Sequence, residues 1–256
     1  MTSLDLYFFS GTGNTLLVAE KLAETFLKNK IDMNTYKIEN SDPKKIDPKK
    51  TIGLAFPVAM QSTYPFIWNF INNLPNVDGT EIFMVDTLHA FSGAIVAPLK
   101  KVLKKKGYKT IGAKEIIMPS NLRKKINPKE DKIKIAQGLK TAEEYAYSLI
   151  NKRAEWKSVP LLPHIFHYLV TRKYLWNYMK ELGKKFKTDR GKCTKCKICM
   201  EICPVKNIII PDFPEHQKKC ELCMRCIMFC PTGAITMPIF KIQKYKAVDV
   251  KKIKNN

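Results

Sequence analysis

All eight cysteines of the chain fall between Cys193 and Cys230. They form two copies of one pattern, Cys193-x2-Cys196-x2-Cys199-x3-Cys203-Pro204 and Cys220-x2-Cys223-x2-Cys226-x3-Cys230-Pro231, offset by 27 residues. Three thiolates at this spacing wrap three corners of one cubane, and the fourth, before proline, is carried to the neighbouring cluster. The pattern points to two [4Fe-4S] clusters, and such clusters move single electrons. A disulfide framework would need an oxidising compartment and usually a small secreted chain. Zinc favours paired C-x2-C knuckles with four ligands per ion, which leaves the third cysteine of each run without a role.

A second group of chemistry-bearing residues lies near the start. Ser10-Gly11-Thr12-Gly13-Asn14-Thr15 follows an apolar, strand-like run and opens a helical one. Such a junction presents unpaired N–H groups at the positive end of a helix dipole. Glycine lets the chain turn tightly and lets a phosphate approach the backbone. Hydroxyl and amide side chains add neutral donors. With no Lys or Arg in the loop, a terminal phosphate would be held by dipoles. The run is neither the dinucleotide G-x-G-x-x-G nor the P-loop ending in Gly-Lys-Ser/Thr.

Both groups resemble known families. Phe8 to Thr15 is similar to the flavodoxin phosphate loop, which implies FMN held by Ser10, Gly11, Thr12, Gly13, Asn14 and Thr15. Flavodoxin resemblance makes the loops after the third and fourth strands the isoalloxazine loops. That draws in Pro57, Ala59, Met60, Gln61 and Ser62, and Thr87, His89, Phe91, Ser92 and Gly93. The amides at 59–62 and 91–93 become candidate partners of the flavin carbonyls and N5. Tyr64, Trp68, His89 and Phe91 become candidates for stacking on the ring. The cysteine runs, each continuing past Cys-Pro into an apolar stretch, resemble bacterial-type two-cluster ferredoxins. That resemblance assigns Cys193, Cys196, Cys199 and Cys230 to one cluster, and Cys220, Cys223, Cys226 and Cys203 to the other. As a whole the chain resembles ferredoxin-fused flavodoxin-like proteins of anaerobes. The implied activity is electron transport between the clusters and FMN. The alternative is an FMN-dependent oxidoreductase reducing a small acceptor such as a quinone or nitro compound. No catalytic Ser/His/Asp or Cys/His group and no NAD(P) fingerprint is apparent.

The elements that must position these groups alternate. Residues 4–9, 32–38, 51–56, 81–86 and 111–118 read as strands. Residues 14–30, 65–72, 93–106 and 128 to about 156 read as helices, with Gly107 as a C-cap. Alternation with continuous apolar strands implies a five-stranded parallel sheet with helices on both faces, and the resemblance to flavodoxins implies that this sheet is flavodoxin-like. The expected division is residues 1–156 for this α/β unit, 157–190 for a basic helical connector, and 191–256 for a small α+β two-cluster ferredoxin domain. Ile165, Tyr168, Leu169, Leu175, Trp176, Met179, Leu182 and Phe186 recur at helical spacing along the connector. Packing within the protein is the favoured role for that stripe, with membrane or partner contact as the alternative.

The formal net charge is +22, and residues 156–190 alone carry eight Lys/Arg against two Asp/Glu. Flavodoxins and ferredoxins are commonly acidic, so the balance departs from both. It suggests an acidic redox protein as partner, or an anionic surface, rather than nucleic acid, for which no motif is present. No apolar run reaches the ~18 residues of a spanning helix, and no secretory leader precedes the first strand. Eight thiolates kept as ligands fit a reducing cytoplasm. Oligomeric state is not legible.

Overall fold

The computed structural model describes residues 3–90, 95–157, 176–237 and 242–255. The first 150 residues run β1 (Ser3–Phe8), α1 (Asn14–Lys28), β2 (Asp32–Lys37), β3 (Thr51–Pro57), α2 (Pro65–Asn72), β4 (Glu81–Leu88), α3 (Val96–Lys105), β5 (Lys109–Ile117) and α4 (Pro128–Ile150). The five strands are all parallel in the order β2-β1-β3-β4-β5. That is the flavodoxin-like doubly wound order, and its direction reverses between β1 and β3. Ligands of such sheets sit beyond the carboxyl ends of the strands at that reversal.

Strand alternation divides the core in two. Leu4, Leu6 and Phe8 of β1 pack with Leu22 and Phe26 of α1 and with Ala142 and Leu149 of α4. Tyr7 and Phe9 face the other way, with Ile67 and Ile71 of α2 and Leu99 and Leu103 of α3. Each fully buried Leu or Phe contributes about 1.5–3 kcal/mol. Gly53 on β3 leaves room for both neighbours. A Cβ there would stand 2.5 Å from a Leu6 methyl and 2.6 Å from the Phe83 ring. Gly107, at φ +87, ends the turn after α3, its N–H donating a hydrogen bond to Lys104 O at 3.0 Å.

Most element boundaries shift by one or two residues from the sequence reading, and the end of the last helix shifts furthest. The last strand starts at Lys109, two residues earlier. The last helix stops at Ile150 instead of near Trp156. Lys152 takes a left-handed conformation (φ 56), and the chain doubles back. Trp156 then buries its ring in the α2/α3 core and donates its indole N–H to Val96 O at 3.1 Å. Burying the indole on the opposite face outweighs another turn of helix. Half of the connector stripe (Ile165, Tyr168, Leu169 and Leu175) lies outside the described residues.

The remainder contains α5 (Trp176–Gly183), β6 (Lys187–Thr188), α6 (Ile198–Glu201), β7 (Ile208–Ile209), β8 (Glu215–His216), α7 (Arg225–Met228), β9 (Ile235–Thr236) and α8 (Val250–Asn255). β6 pairs with β9 and β7 with β8, both antiparallel. This small α+β unit shares a continuous apolar core with the α1/α4 face of the sheet, through Ile202, Leu222, Ile227 and Ile253. Residues 242–255 run back over the α/β unit. Ala247 N donates to Thr12 O, and buried Lys37 at the end of β2 donates to the last-turn carbonyls of Ile253 and Lys254. The last fourteen described residues therefore pack on the phosphate loop's side of the molecule, although in sequence they continue the cysteine-bearing segment.

Candidate functional site

The loop between β1 and α1 has the features of an anion cradle. Gly13 precedes α1 at φ 107, no side chain caps the helix, and its first turn holds no acidic residue. Ser10 Oγ accepts from Gly13 N at 3.1 Å. The amides of Gly11, Thr12, Asn14 and Thr15 have no protein acceptor among the described residues. Thr15 and Thr87 hydroxyls share a hydrogen bond of 2.7 Å, tying the loop to the end of β4. Asn14 is fixed from two sides, donating to Pro119 O at 2.8 Å and accepting from Tyr245 Oη at 2.6 Å.

This loop forms one end of a cavity of about 1280 Å³. Ser10, Gly11, Thr12, Asn14, Thr15, Pro57, Ala59, Met60, Thr87 and His89 all line it; Gly13, Gln61 and Ser62 do not. Phe91, Ser92 and Gly93 lie outside the described residues. The 57–62 loop is a tight turn in which Ala59 and Ser62 exchange both backbone hydrogen bonds at 2.9 Å. Met60 and Gln61 carry positive φ of 51° and 57° at its tip. The Ala59 and Ser62 amides are thus consumed within the turn, leaving Met60 and Gln61 as its donors. Ser62 Oγ accepts the Trp68 indole N–H at 2.9 Å, which places Trp68 in the core beneath the loop rather than at the cavity. Tyr64 does line it, packed against Phe9, Phe66 and Trp176, and burial pushes its hydroxyl pKa well up.

Several lining residues were not legible in the sequence. Pro119, Ser120 and Asn121 follow β5, Trp176 and Tyr178 belong to α5, and Lys124 brings a cation that the phosphate loop itself lacks. Glu221, Leu222 and Met224 come from the second cysteine run. Neutral donors at a helix start, an apolar wall and ample volume fit FMN.

The eight cysteines fall into two groups. Cys193, Cys196, Cys199 and Cys230 line one small cavity; Cys203, Cys220, Cys223 and Cys226 line another. Each set draws three thiols from one run and one from the other, the exchange that two-cluster ligation at this spacing uses. As free thiols, Cys199, Cys220, Cys223 and Cys226 resist ionisation because they are buried. Burial pushes Cys199 and Cys220 to about 11 and Cys223 to about 12. An iron cluster would reverse that preference, since a coordinating thiol is deprotonated outright. His216, also unforeseen, lines the second cavity with Nε2 3.5 Å from Cys226 Sγ, and burial lowers its pKa to about 4.

The second cysteine run lies directly on the phosphate loop. A Cβ on Gly11 would stand 2.9 Å from Cys223 O. Buried Arg225 donates to Ser10 O at 2.9 Å and to Ile202 O at 3.1 Å, stacks 4.5 Å over the Phe9 ring, and pairs with buried Glu39 at 2.6 Å. Glu221 accepts from Phe66 N at the start of α2, at 3.1 Å. At the far side, a Cβ on Gly183 would meet Cys220 Cβ at 2.5 Å, so α5 is pressed against the same run.

Residues 186–209 and 214–236 each match the 4Fe-4S binding domain family. No curated protein matches the chain. Among solved structures, the flavodoxin of Streptococcus pneumoniae TIGR4 is 16% identical, with a TM-score of 0.43, covering 57% of this chain and 99% of its own. A short-chain flavodoxin associated with a non-canonical PDU bacterial microcompartment is 15% identical, with a TM-score of 0.45, covering 60% and 100%. Flavodoxin 2 from Bacillus cereus is 12% identical, with a TM-score of 0.44, covering 59% and 99%. The fold assignment itself rests on the strand order. The chain joins a flavodoxin-like α/β unit to a 4Fe-4S binding domain, and its two matched repeats fit two clusters. Among the described residues, no helix is long and apolar enough to cross a membrane.

Proposed function

We propose that this chain passes electrons between two [4Fe-4S] clusters and an FMN held in the cavity above the phosphate loop. Cys193, Cys196, Cys199 and Cys230 hold the outer cluster; Cys220, Cys223, Cys226 and Cys203 hold the inner one. Clusters carry single electrons and a flavin stores one or two, so the pair joins one-electron and two-electron chemistry. The protein's own residues supply distance, orientation and dryness. Gly11 lets the inner-cluster loop approach the phosphate loop to backbone contact. Leu222 and Met224 form an apolar wall between the second cysteine run and the cavity. Arg225 and Glu221 fasten that wall to β1 and α2. Thr12, Thr15 and the amides of the phosphate loop bind the anionic end of the cofactor.

The observation that carries this reading is the wall itself: one cavity is bounded by the phosphate loop on one side and by residues 221, 222 and 224, interleaved with Cys220 and Cys223, on another. Residues 1–156 serve as the flavin unit, 157–190 as a connector and 191–256 as the cluster unit, whose residues 242–255 strap the two units together, in a reducing cytoplasmic setting. An anaerobic reductive titration followed by absorbance and EPR tests the reading. It should count eight irons and one flavin per chain and show electrons exchanging between them. Iron and flavin that titrate with no exchange would defeat it.

A second reading draws on the cavity's size. At about 1280 Å³ it exceeds the roughly 300–1,000 Å³ of ordinary ligand sites. Its walls include apolar Trp176, Leu182, Met237 and Ile242. That space favours a small flat acceptor, such as a quinone or nitro compound, reduced beside the flavin. Steady-state turnover across a panel of such acceptors separates an enzyme from a carrier.

A further inference from the structure

We propose that the loop around Cys193 and Cys196 is the docking face for an acidic single-electron carrier protein, and that the two cysteine runs are divided into an outer and an inner port. The inference deepens the cofactor reading above and rests on it.

The two runs repeat the same backbone. Lys195 and Lys197 have φ of 56° and 61°; 27 residues later Leu222 and Met224 have 54° and 67°. Left-handed conformations are uncommon for residues with a Cβ, so their recurrence at equivalent positions marks a requirement of the ligand loop. The side chains at those positions are free to suit their surroundings, and they diverge. Leu222 and Met224 are buried, 8% and 3% exposed, and line the cavity. Lys195 and Lys197 are exposed, with exposed Cys196 between them. One copy turns an apolar wall toward an internal acceptor, and the other turns two ammonium groups toward solvent.

The charge around the outer loop is one-sided. Between residues 187 and 200 five Lys/Arg stand against Asp189 alone. Lys192 pairs with Asp189 at 3.0 Å; Lys195 pairs with Asp212 and rests 4.4 Å over the Phe213 ring. Lys197 has no carboxylate at ion-pair distance among the described residues. A ligated cluster adds about −2, which leaves the face cationic. A carrier with carboxylates around its own redox centre would be steered to this loop and aligned on it. One electron then leaves the reduced carrier and enters the cluster; no bond forms and no proton moves.

The test uses full-length protein loaded with iron, sulfide and FMN. A reduced acidic two-[4Fe-4S] ferredoxin serves as donor in stopped flow, at low and moderate salt. Lys195→Glu/Lys197→Glu is compared with Lys104→Glu/Lys105→Glu, an equal charge change on the exposed face of α3. The outer-loop variant should lose on the order of tenfold or more in second-order rate at low salt, with a flattened salt dependence. The α3 variant should stay near the unaltered rate, and dithionite should reduce both variants as it reduces the unaltered protein. Lys197→Gln, which breaks no ion pair, should move the rate the same way by a smaller factor. Equal losses in the two double variants, or no loss in the outer-loop variants, would overturn the docking face. Unaltered protein in which dithionite-reduced clusters fail to reach the flavin would instead overturn the cofactor reading, and this inference with it.

Discussion

The Nε of Arg225 donates to the carbonyl oxygen of Ser10 at 2.9 Å, although 215 residues separate them. Arg225 stands between Cys223 and Cys226, and Ser10 opens the phosphate loop. One buried guanidinium therefore joins the loop proposed to ligate an inner cluster to the loop proposed to cradle a phosphate. The equivalent residue of the first run is Ile198, so the bridge belongs to one copy alone. Its geometry makes the separation of the two loops a fixed quantity, and that separation can be altered by substitution.

Gly11→Ala is the smallest such change. The added methyl carbon would lie 2.9 Å from Cys223 O, closer than real contacts allow, and a backbone carbonyl has little freedom to yield. The two loops must part by a few tenths of an ångström or more. Iron and flavin contents should remain near those of the unaltered protein, while electron exchange between them slows. Misplacements approaching 1 Å cost up to about 100-fold where geometry governs a step, so roughly tenfold is expected here. Flash reduction of the flavin with the clusters monitored optically measures it; an unchanged rate would show that the Gly11 contact sets no distance.

Arg225→Met addresses stability. Arg225 and Glu39 side chains are only 4% and 6% exposed, and their 2.6 Å pairing spans the two units. Removing one partner leaves an uncompensated buried charge, which costs about 3–5 kcal/mol. Replacing both, as Arg225→Met/Glu39→Gln, should recover most of that loss. Anaerobic denaturant unfolding of the loaded protein reports both values. A double variant no more stable than the single would mean that the bonds to Ser10 and Ile202, not the ion pair, carry the effect.

What could be read in advance was local. The cysteine spacing and the Gly-rich loop are short motifs whose chemistry is set by neighbours in sequence, and the parallel α/β sheet followed from alternating strand and helix patterns. Contacts between distant segments left no such trace. Nothing near Gly11 announces that Cys223 will lie against it, and nothing in residues 242–255 announces a return to the phosphate loop. The expectation of flavin-binding amides at Ala59 and Ser62 met a turn that pairs those amides with each other. Trp156 continued a helical pattern in sequence, yet its ring found more apolar contact under α3 than one more turn would have provided. Aromatic stacking on a flavin was assigned partly to Trp68, whose indole N–H is instead committed to Ser62.

Asp86 gives a pH-dependent test. Among the described residues both its carboxylate oxygens are buried without a hydrogen-bond partner, and burial, reinforced by Glu115, holds its pKa well above the usual carboxylate range. The folded state therefore retains a proton that the unfolded chain, ionising near 4, releases. Below the unfolded value the group is neutral in both states and costs nothing. As pH rises through the window up to the folded value, the folded state loses stability relative to the unfolded. Asp86→Asn, neutral at every pH, should raise the melting temperature at neutral pH. That gain should vanish as pH falls toward 4. Melting curves of the loaded protein across this range decide it; a gain independent of pH would mean that Asp86 is not ionisation-linked to folding.

The C-terminal strap offers a contrast between buried and exposed tethers. Tyr245 donates to Asn14 Oδ1 at 2.6 Å from a largely buried position, while Lys252 pairs with Glu20 at 2.9 Å on the surface. Asn14 is the first residue of α1, so its orientation bears on the amides that face the phosphate site. A buried hydrogen bond contributes about 0.5–1.5 kcal/mol, an exposed ion pair about 0–1 kcal/mol. Tyr245→Phe should therefore speed FMN release about threefold to tenfold, read as recovered flavin fluorescence after dilution. Lys252→Ala should leave release nearly unchanged, because it loosens the strap only where solvent already competes. If the two substitutions accelerated release equally, the strap would act by general closure over the loop. If neither did, the position of Asn14 would be set by its bond to Pro119 O alone, and the tail would have no bearing on how the cofactor is held.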